Sequence, residues 1–124
     1  MALMDQKDFA GALVHARASV TGFQTLRAVD PLPLSEALDL EGMCLLGLGR
    51  TREAVDVLRQ ALAFPSLPGE VLADTGFALA HALWAEGRAP EARLEAARAR
   101  ERFTQVGKAQ RAAEVQSWLS VLTP

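Results

Sequence analysis

The sequence predicts an all-α protein, an antiparallel helical-repeat solenoid of about six helices. Three observations predict it. The stretches "LGLGRTREAVDVL" (Leu46 to Leu58) and "WAEGRAPEARLEA" (Trp84 to Ala96) share Gly-Arg, two residues, then Glu-Ala. Gly49 and Gly87, Arg50 and Arg88, Glu53 and Glu91, and Ala54 and Ala92 are each 38 residues apart. The same offset carries Gly42 to Ala80, Leu45 to Leu83, Leu58 to Ala96 and Ala61 to Ala99. A constant period in this range marks stacked supersecondary units. Finally, half of the 124 residues are apolar, with Ala and Leu dominant, no Tyr and few β-branched residues. That mix favours helix over strand.

Each copy reads as two helices. Ala37, Leu38, Leu45 and Leu48 fall at helical spacing between Ser35 and Leu48. Gly49 suits the left-handed conformation that ends a helix. Thr51 is placed to cap the next helix, with Glu53 in its positive first turn. Ala54, Val55, Leu58, Ala61 and Leu62 then mark one face. In the second copy Gly87 stops a helix and Pro90 falls where a first turn tolerates proline. Ala92, Ala96, Ala97 and Ala99 continue the inner face. Gly42, Ala80, Ala54 and Ala92 are the points where antiparallel helices approach closely, because their side chains are short.

The remainder follows from the two copies. "DFAGALVHARASV" (Asp8 to Val20) reads as the second helix of a unit without its first, with Ala12, Ala16 and Ser19 at the small positions and Gly22 ending it. "RAVDPLPL" (27–34) and "FPSLPG" (64–69) read as loops, since closely spaced prolines break helix. After Gly107 a last helix runs to about Leu122 with Ala112, Val115, Leu119 and Leu122 inward. One domain, 1–124, is expected: a half repeat at 5–21, repeats at 34–64 and 70–104, and a capping helix at 108–122.

The repeats resemble the tetratricopeptide family. Gly42, Leu45, Gly49, Glu53, Ala54, Leu58 and Ala61 match its pattern, and Leu79, Ala80, Leu83, Gly87, Glu91, Ala92 and Ala99 match it again. Glu41 stands where the family has leucine, and Leu38 and Gly76 stand at its early aromatic position. The period exceeds the family's usual value of about 34, and the "FPSLPG" loop accommodates the excess. The closing stretch from Ala97 to Leu122 resembles long-period repeats at the C-terminal ends of bacterial signalling proteins, among them large ATP-dependent transcription activators and Ser/Thr kinases.

Chemistry is sparse. The net charge is −2, which predicts no general affinity for nucleic acid or anionic membrane. His15 and His81 lie in no ligand spacing, and Cys44 sits mid-helix as a small hydrophobe with no local base. "GLGR" lacks the third glycine and strand context of a phosphate cradle. No catalytic, metal or cofactor site is expected, and the reading is of a protein that is not an enzyme. No apolar run approaches the roughly 20 residues of a membrane span, and the lone cysteine fits a reducing, cytoplasmic compartment. The arginines between Arg93 and Phe103 alternate with glutamates, Glu95 and Arg98 forming an expected pair, without the aromatics that stack nucleic-acid bases.

The resemblance implies a concave groove lined by the first helix of each pair. Its stripe here is Glu36, Asp39, Met43 and Leu46 in the first copy and Asp74, Phe77, His81 and Trp84 in the second. Both step by three, four and three residues. Leu72, Leu79, Ala80 and Leu83 already supply the inner face of the second helix, so its aromatic stripe requires either an external partner or cover from a terminal helix. His81 reads as a pH-sensitive contact or a plain hydrogen-bonding residue. The family's clamp on a terminal carboxylate uses basic residues, whereas this stripe is acidic and suits a partner with basic and apolar character, such as an amphipathic helix. The function expected is a noncatalytic protein–protein interaction module, in bacterial signalling or regulation. The alternatives are a secretion-type chaperone that shields an export substrate, or a nucleic-acid-binding regulatory module. The sequence leaves homo-oligomerisation open.

Overall fold

The computed structural model describes residues 6–26, 30–64 and 66–122. Among them there is helix and no strand. Six α-helices follow in order: α1 (Gln6–Phe23), α2 (Leu32–Gly47), α3 (Thr51–Ala61), α4 (Gly69–Ala85), α5 (Ala89–Gln105) and α6 (Ala109–Val121). A short 3-10 turn, Gln24–Leu26, follows α1. The chain contacts divide into two units, one holding α1 to α3 and the other α4 to α6.

One turn joins helices three times. Gly49, Gly87 and Gly107 have φ of 77°, 83° and 76°. In each case the glycine donates to the carbonyl three residues back and the next residue to the carbonyl five back: Arg50 to Leu45 at 2.9 Å, Arg88 to Leu83 at 2.9 Å and Lys108 to Phe103 at 2.8 Å. This six-to-one and five-to-two bonding satisfies carbonyls that the helix end would leave unpaired, and the left-handed residue it needs is glycine. The basic residue after each glycine is already the N-cap of the next helix. Its carbonyl accepts from Ala54, Ala92 or Ala112.

That geometry corrects the capping expectation. Arg50, not Thr51, is the N-cap of α3, and no side chain caps it. The glycine turn enters the new helix without a spacer, so Thr51 is already helical. Two further boundaries differ. Gly22 lies inside α1, which continues to Phe23, because a glycine without positive φ weakens a helix and does not end it. α2 starts at Leu32, inside the stretch read as a loop, with Pro31 as N-cap and Pro33 in the first turn. Prolines are tolerated there because first-turn N–H groups have no helical acceptor, and the Leu32 N–H goes to Asp30 Oδ1 at 3.1 Å. Residues 27–29 of that loop and Pro65 of the next lie outside the described residues.

In the first unit α2 is central. Leu34, Leu38 and Leu45 of α2 and Ala54, Val55, Leu58 and Ala61 of α3 are buried. A Cβ on Gly42 would stand 2.5 Å from Leu58 Cγ, so α2 and α3 touch there because the glycine lacks one. The buried Ser35 hydroxyl donates to the Ala61 carbonyl at 3.0 Å, tying the start of α2 to the end of α3. On α1, Leu13 and Ala16 are buried, Ala12 is half-buried and Ser19 is exposed. The Phe9 ring of α1 lies over Gly47.

In the second unit Ala73, Ala80, Ala96, Ala99, Phe103, Ala112 and Val115 form the core, with Phe77, Trp118 and Leu119 packed against it. Ala54 and Ala92 are both completely buried, at equivalent places in the two units. Small residues at these points set close helix contact in each.

Candidate partner-binding stripes

The α4 stripe is built by helical spacing: residues 74, 77, 81 and 84 share one side because 3.6 residues complete a turn. Leu79 and Leu83 turn to the other side and are buried, Ala80 is buried beside the stripe, and Leu72 is half-buried. The last helix lies along the stripe. Arg111 Nη2 of α6 donates to Asp74 Oδ1 at 2.8 Å, and Lys108 Nζ stands 3.7 Å from Glu70 one turn earlier. Trp118 meets the apolar remainder. Its ring centroid lies 4.5 Å from His81, 5.6 Å from Phe77 edge-on and 6.4 Å from Trp84 edge-on. Phe77 and His81 are themselves 4.7 Å apart. Arg93 of α5 stacks its guanidinium 5.8 Å from the Trp84 ring and donates to the Leu122 carbonyl at 2.7 Å.

The order of these contacts gives the direction. Lys108, Arg111 and Trp118 meet residues 70, 74 and 77–84 in turn, so α6 runs parallel to α4. Residues seven apart on either helix rise by about 10 Å, and the two helices therefore stay in step over the whole stripe. Of the two occupants the sequence left open, a terminal helix covers this stripe, although Trp84 remains 37% exposed. Burial among the rings holds the His81 imidazole below its ordinary value, because removal from water disfavours its cation.

The α2 stripe belongs to the other unit. Glu36 is exposed, Asp39 and Leu46 are half-buried, and Met43 is 44% exposed. Leu40, which the sequence reading did not single out, is 48% exposed and lies one turn from Glu36. A shallow depression of about 370 Å³ opens beside it, lined by Ser19 and Phe23 of α1 and by Leu32, Pro33, Glu36 and Leu40. Leu40 was legible as an apolar residue at i+4 from Glu36. Lys108, Arg111 and Trp118 had a weaker signal: Arg111 and Trp118 share the seven-residue spacing of Asp74 and His81.

Elsewhere the polar groups serve the fold. Glu41 is buried where the second copy has Leu79, and Arg17 of α1 reaches it at 3.2 Å. Arg17 also lies 3.5 Å from Glu53 of α3. Arg50 holds Glu53 through two bonds of 2.8 and 2.7 Å, and Arg88 holds Glu91 likewise at 2.9 and 2.7 Å. Cys44 is buried, and burial with the nearby Glu41 carboxylate pushes its thiol upward, away from the thiolate a nucleophile needs. Of the α5 arginines, Arg98 pairs with Glu95 at 3.0 Å and Arg100 with Gln116 of α6. No group of three His, Cys, Asp or Glu among the described residues is placed to hold a metal ion. No helix among them is long and apolar enough to cross a membrane.

Compared with protein-family models, with curated proteins and with solved structures, the chain matches none of them.

Proposed function

We propose that the chain is a noncatalytic, tetratricopeptide-like helical-repeat module that binds a peptide or protein segment along α2, the first helix of the first pair. The observation that carries this reading is the seating of α6 on α4. An acidic and aromatic stripe holds a helix that offers a base to the acid and an indole to the rings. A stripe of this chemistry is a helix-binding surface, and the equivalent positions of α2 leave Glu36 and Met43 exposed, with Leu40 exposed beside them. The resemblance of the closing stretch to repeats of bacterial signalling proteins supports a role in signalling or regulation in the cytoplasm.

The test is capture of partners by the full chain from a native lysate of the source cells, with wild type compared with Glu36→Lys/Met43→Asp. A protein captured by wild type and lost from the variant is the expected result. Equal capture by both, or no capture at all, counts against an interaction module that uses this stripe.

A further inference from the structure

Of the four rings that meet between α4 and α6, only the imidazole of His81 titrates near neutral pH. The charged groups of the three helices are engaged elsewhere. On α4, Asp74 is held by Arg111 at 2.8 Å and Glu70 faces Lys108 at 3.7 Å, seven and eleven residues before His81, while Glu86 ends the helix as its C-cap. On α6, Glu114 pairs with the same Arg111. On α5, Arg88 pairs with Glu91, Glu95 with Arg98, and Arg100 with Gln116. The charge that α5 brings to the rings is a cation, Arg93, over Trp84. A protonated His81 therefore stands half-buried in a cluster that offers it Arg93 and no carboxylate. The grip of α6 is also uneven. Ala112 and Val115 are its buried residues, whereas Trp118, Leu119 and Leu122 are only half-buried and Val121 is exposed. The end of α6 is the part that can leave at least cost.

We propose that His81 and Trp118 form an acid-sensitive latch. On acidification the imidazolium releases the end of α6, residues 116–122, while α4 and α5 stay paired and Ala112, Val115 and the Arg111–Asp74 pair keep the start of α6 in place. Release carries Trp118 off the α4 rings and lets water reach the imidazolium. Attraction of a cation to ring faces opposes this, but burial, with no neighbouring charge, holds the docked imidazole below its ordinary value, so the neutral ring is the form that the docked state favours. The sign follows from linkage. Above about pH 6.5 both states are neutral and the latch is closed. Between that value and the lower docked value, the released state binds more protons, and the release equilibrium grows by up to about tenfold per pH unit. Below the docked value it levels off.

The latch lies within the second unit and stands independently of the α2 reading. Its test uses the full chain with Trp84→Phe, which leaves Trp118 as the only tryptophan. Acrylamide quenching and emission are followed from neutral to mildly acidic pH. Trp118 should become more accessible and shift to the red as pH falls, while most of the helical circular dichroism remains. In the same background His81→Phe, which keeps a ring that cannot titrate, should leave Trp118 shielded throughout. His15→Gln, at the other histidine, should keep the transition. In the unsubstituted chain, amide exchange corrected for its intrinsic pH dependence should show residues 116–122 losing protection by up to about tenfold per pH unit in that window, with α4 and α5 unchanged. Three results overturn the proposal: a Trp118 equally shielded at both pH values, an acid exposure that His81→Phe shares, or a loss of helix throughout α4, α5 and α6 at the same pH. Should His81→Phe leave Trp118 exposed at neutral pH, the unsubstituted chain decides. Exchange that follows the His81 resonance supports the latch, and exchange that follows the titration of another group overturns it.

Discussion

Arg111 donates to Asp74 across 2.8 Å, near the start of α6, which runs parallel to α4. The two side chains are 41% and 48% exposed, so water and salt screen them. Seven residues on, Trp118 is half-buried against Phe77, His81 and Trp84. The contacts of α6 are thus divided: a screened ion pair near its start and an indole packed among rings toward its end.

That division predicts unequal losses. Asp74→Asn should cost less than about 1 kcal/mol of stability, as exposed pairs do. Trp118→Ala removes ring contacts and apolar burial and should cost roughly 1–3 kcal/mol. Denaturant unfolding measures both. Amide exchange should show α6 losing protection in Trp118→Ala before α4 and α5 do. Equal costs for the two variants would contradict the division.

Two buried helical glycines should respond in opposite senses to the same change. A Cβ on Gly42 meets Leu58 Cγ and Cδ2 at 2.5 Å, so Gly42→Ala forces Leu58 to shift. The expected loss is about 1–3 kcal/mol, reduced by alanine's better helix propensity. A Cβ on Gly76 meets only Arg102 at 3.5 Å and Ala99 at 3.9 Å, ordinary contact distances. Gly76→Ala should therefore stabilise by about 0.5–1 kcal/mol. Thermal or denaturant midpoints of the two variants decide the matter, and the same sign for both would refute the packing described.

The sequence makes the turns legible because each depends on one residue type. Gly49, Gly87 and Gly107 hold positive φ, which side chains resist, so a glycine marks the place directly. The helix starts at Leu32 and Thr51 were less legible, since neither uses a side-chain cap. The cover on the α4 stripe was half legible. The sequence shows that the aromatics exceed what the inner face needs, but it does not show what meets them. At the 38-residue offset Trp118 corresponds to Ala80, a small inward residue, so periodicity misdirects. The offset itself holds, since Gly107 corresponds to Gly69 and α6 to α4; what changes is the residue type, small on α4 and large on α6. Arg17 and Glu41 escaped for a different reason: a long-range pair between α1 and α2 leaves no local pattern.

The Arg17–Glu41 pair predicts an asymmetry between its partners. Glu41 is buried and Arg17 is half exposed. Arg17→Met leaves a buried carboxylate without that partner and should cost roughly 1–3 kcal/mol. Glu41→Leu puts in the residue that the second copy has at Leu79 and leaves Arg17 beside Glu53 and water. It should be neutral or stabilising, and the double variant should recover most of the loss in Arg17→Met. A double-mutant cycle in denaturant measures the coupling. If Glu41→Leu destabilises as much as Arg17→Met, the buried carboxylate has a structural role beyond this pair.

His81 makes the stability of the second unit depend on pH in one direction. Burial lowers its pKa in the folded chain, while the unfolded chain titrates near the ordinary value of about 6.5. Between these two values the unfolded state binds more protons, so stability rises with pH there. The contribution is fully present above about pH 6.5, falls as pH drops toward the folded value, and levels off below it. The protonated ring would still face Trp118 at 4.5 Å and Phe77 at 4.7 Å, and a cation over aromatic faces recovers part of the loss. The net effect is nevertheless downward, because the depressed pKa states that the neutral ring is preferred in this setting. Replacing the imidazole by a group that does not titrate should remove this part of the pH dependence. The measurement is the denaturant midpoint of wild type and His81→Gln at neutral pH and at mildly acidic pH. Wild type should lose more on acidification than His81→Gln does, and the His81 imidazole resonances should titrate below the ordinary histidine range. A wild type and variant that lose stability in parallel would show that the α4–α6 ring cluster does not sense the proton.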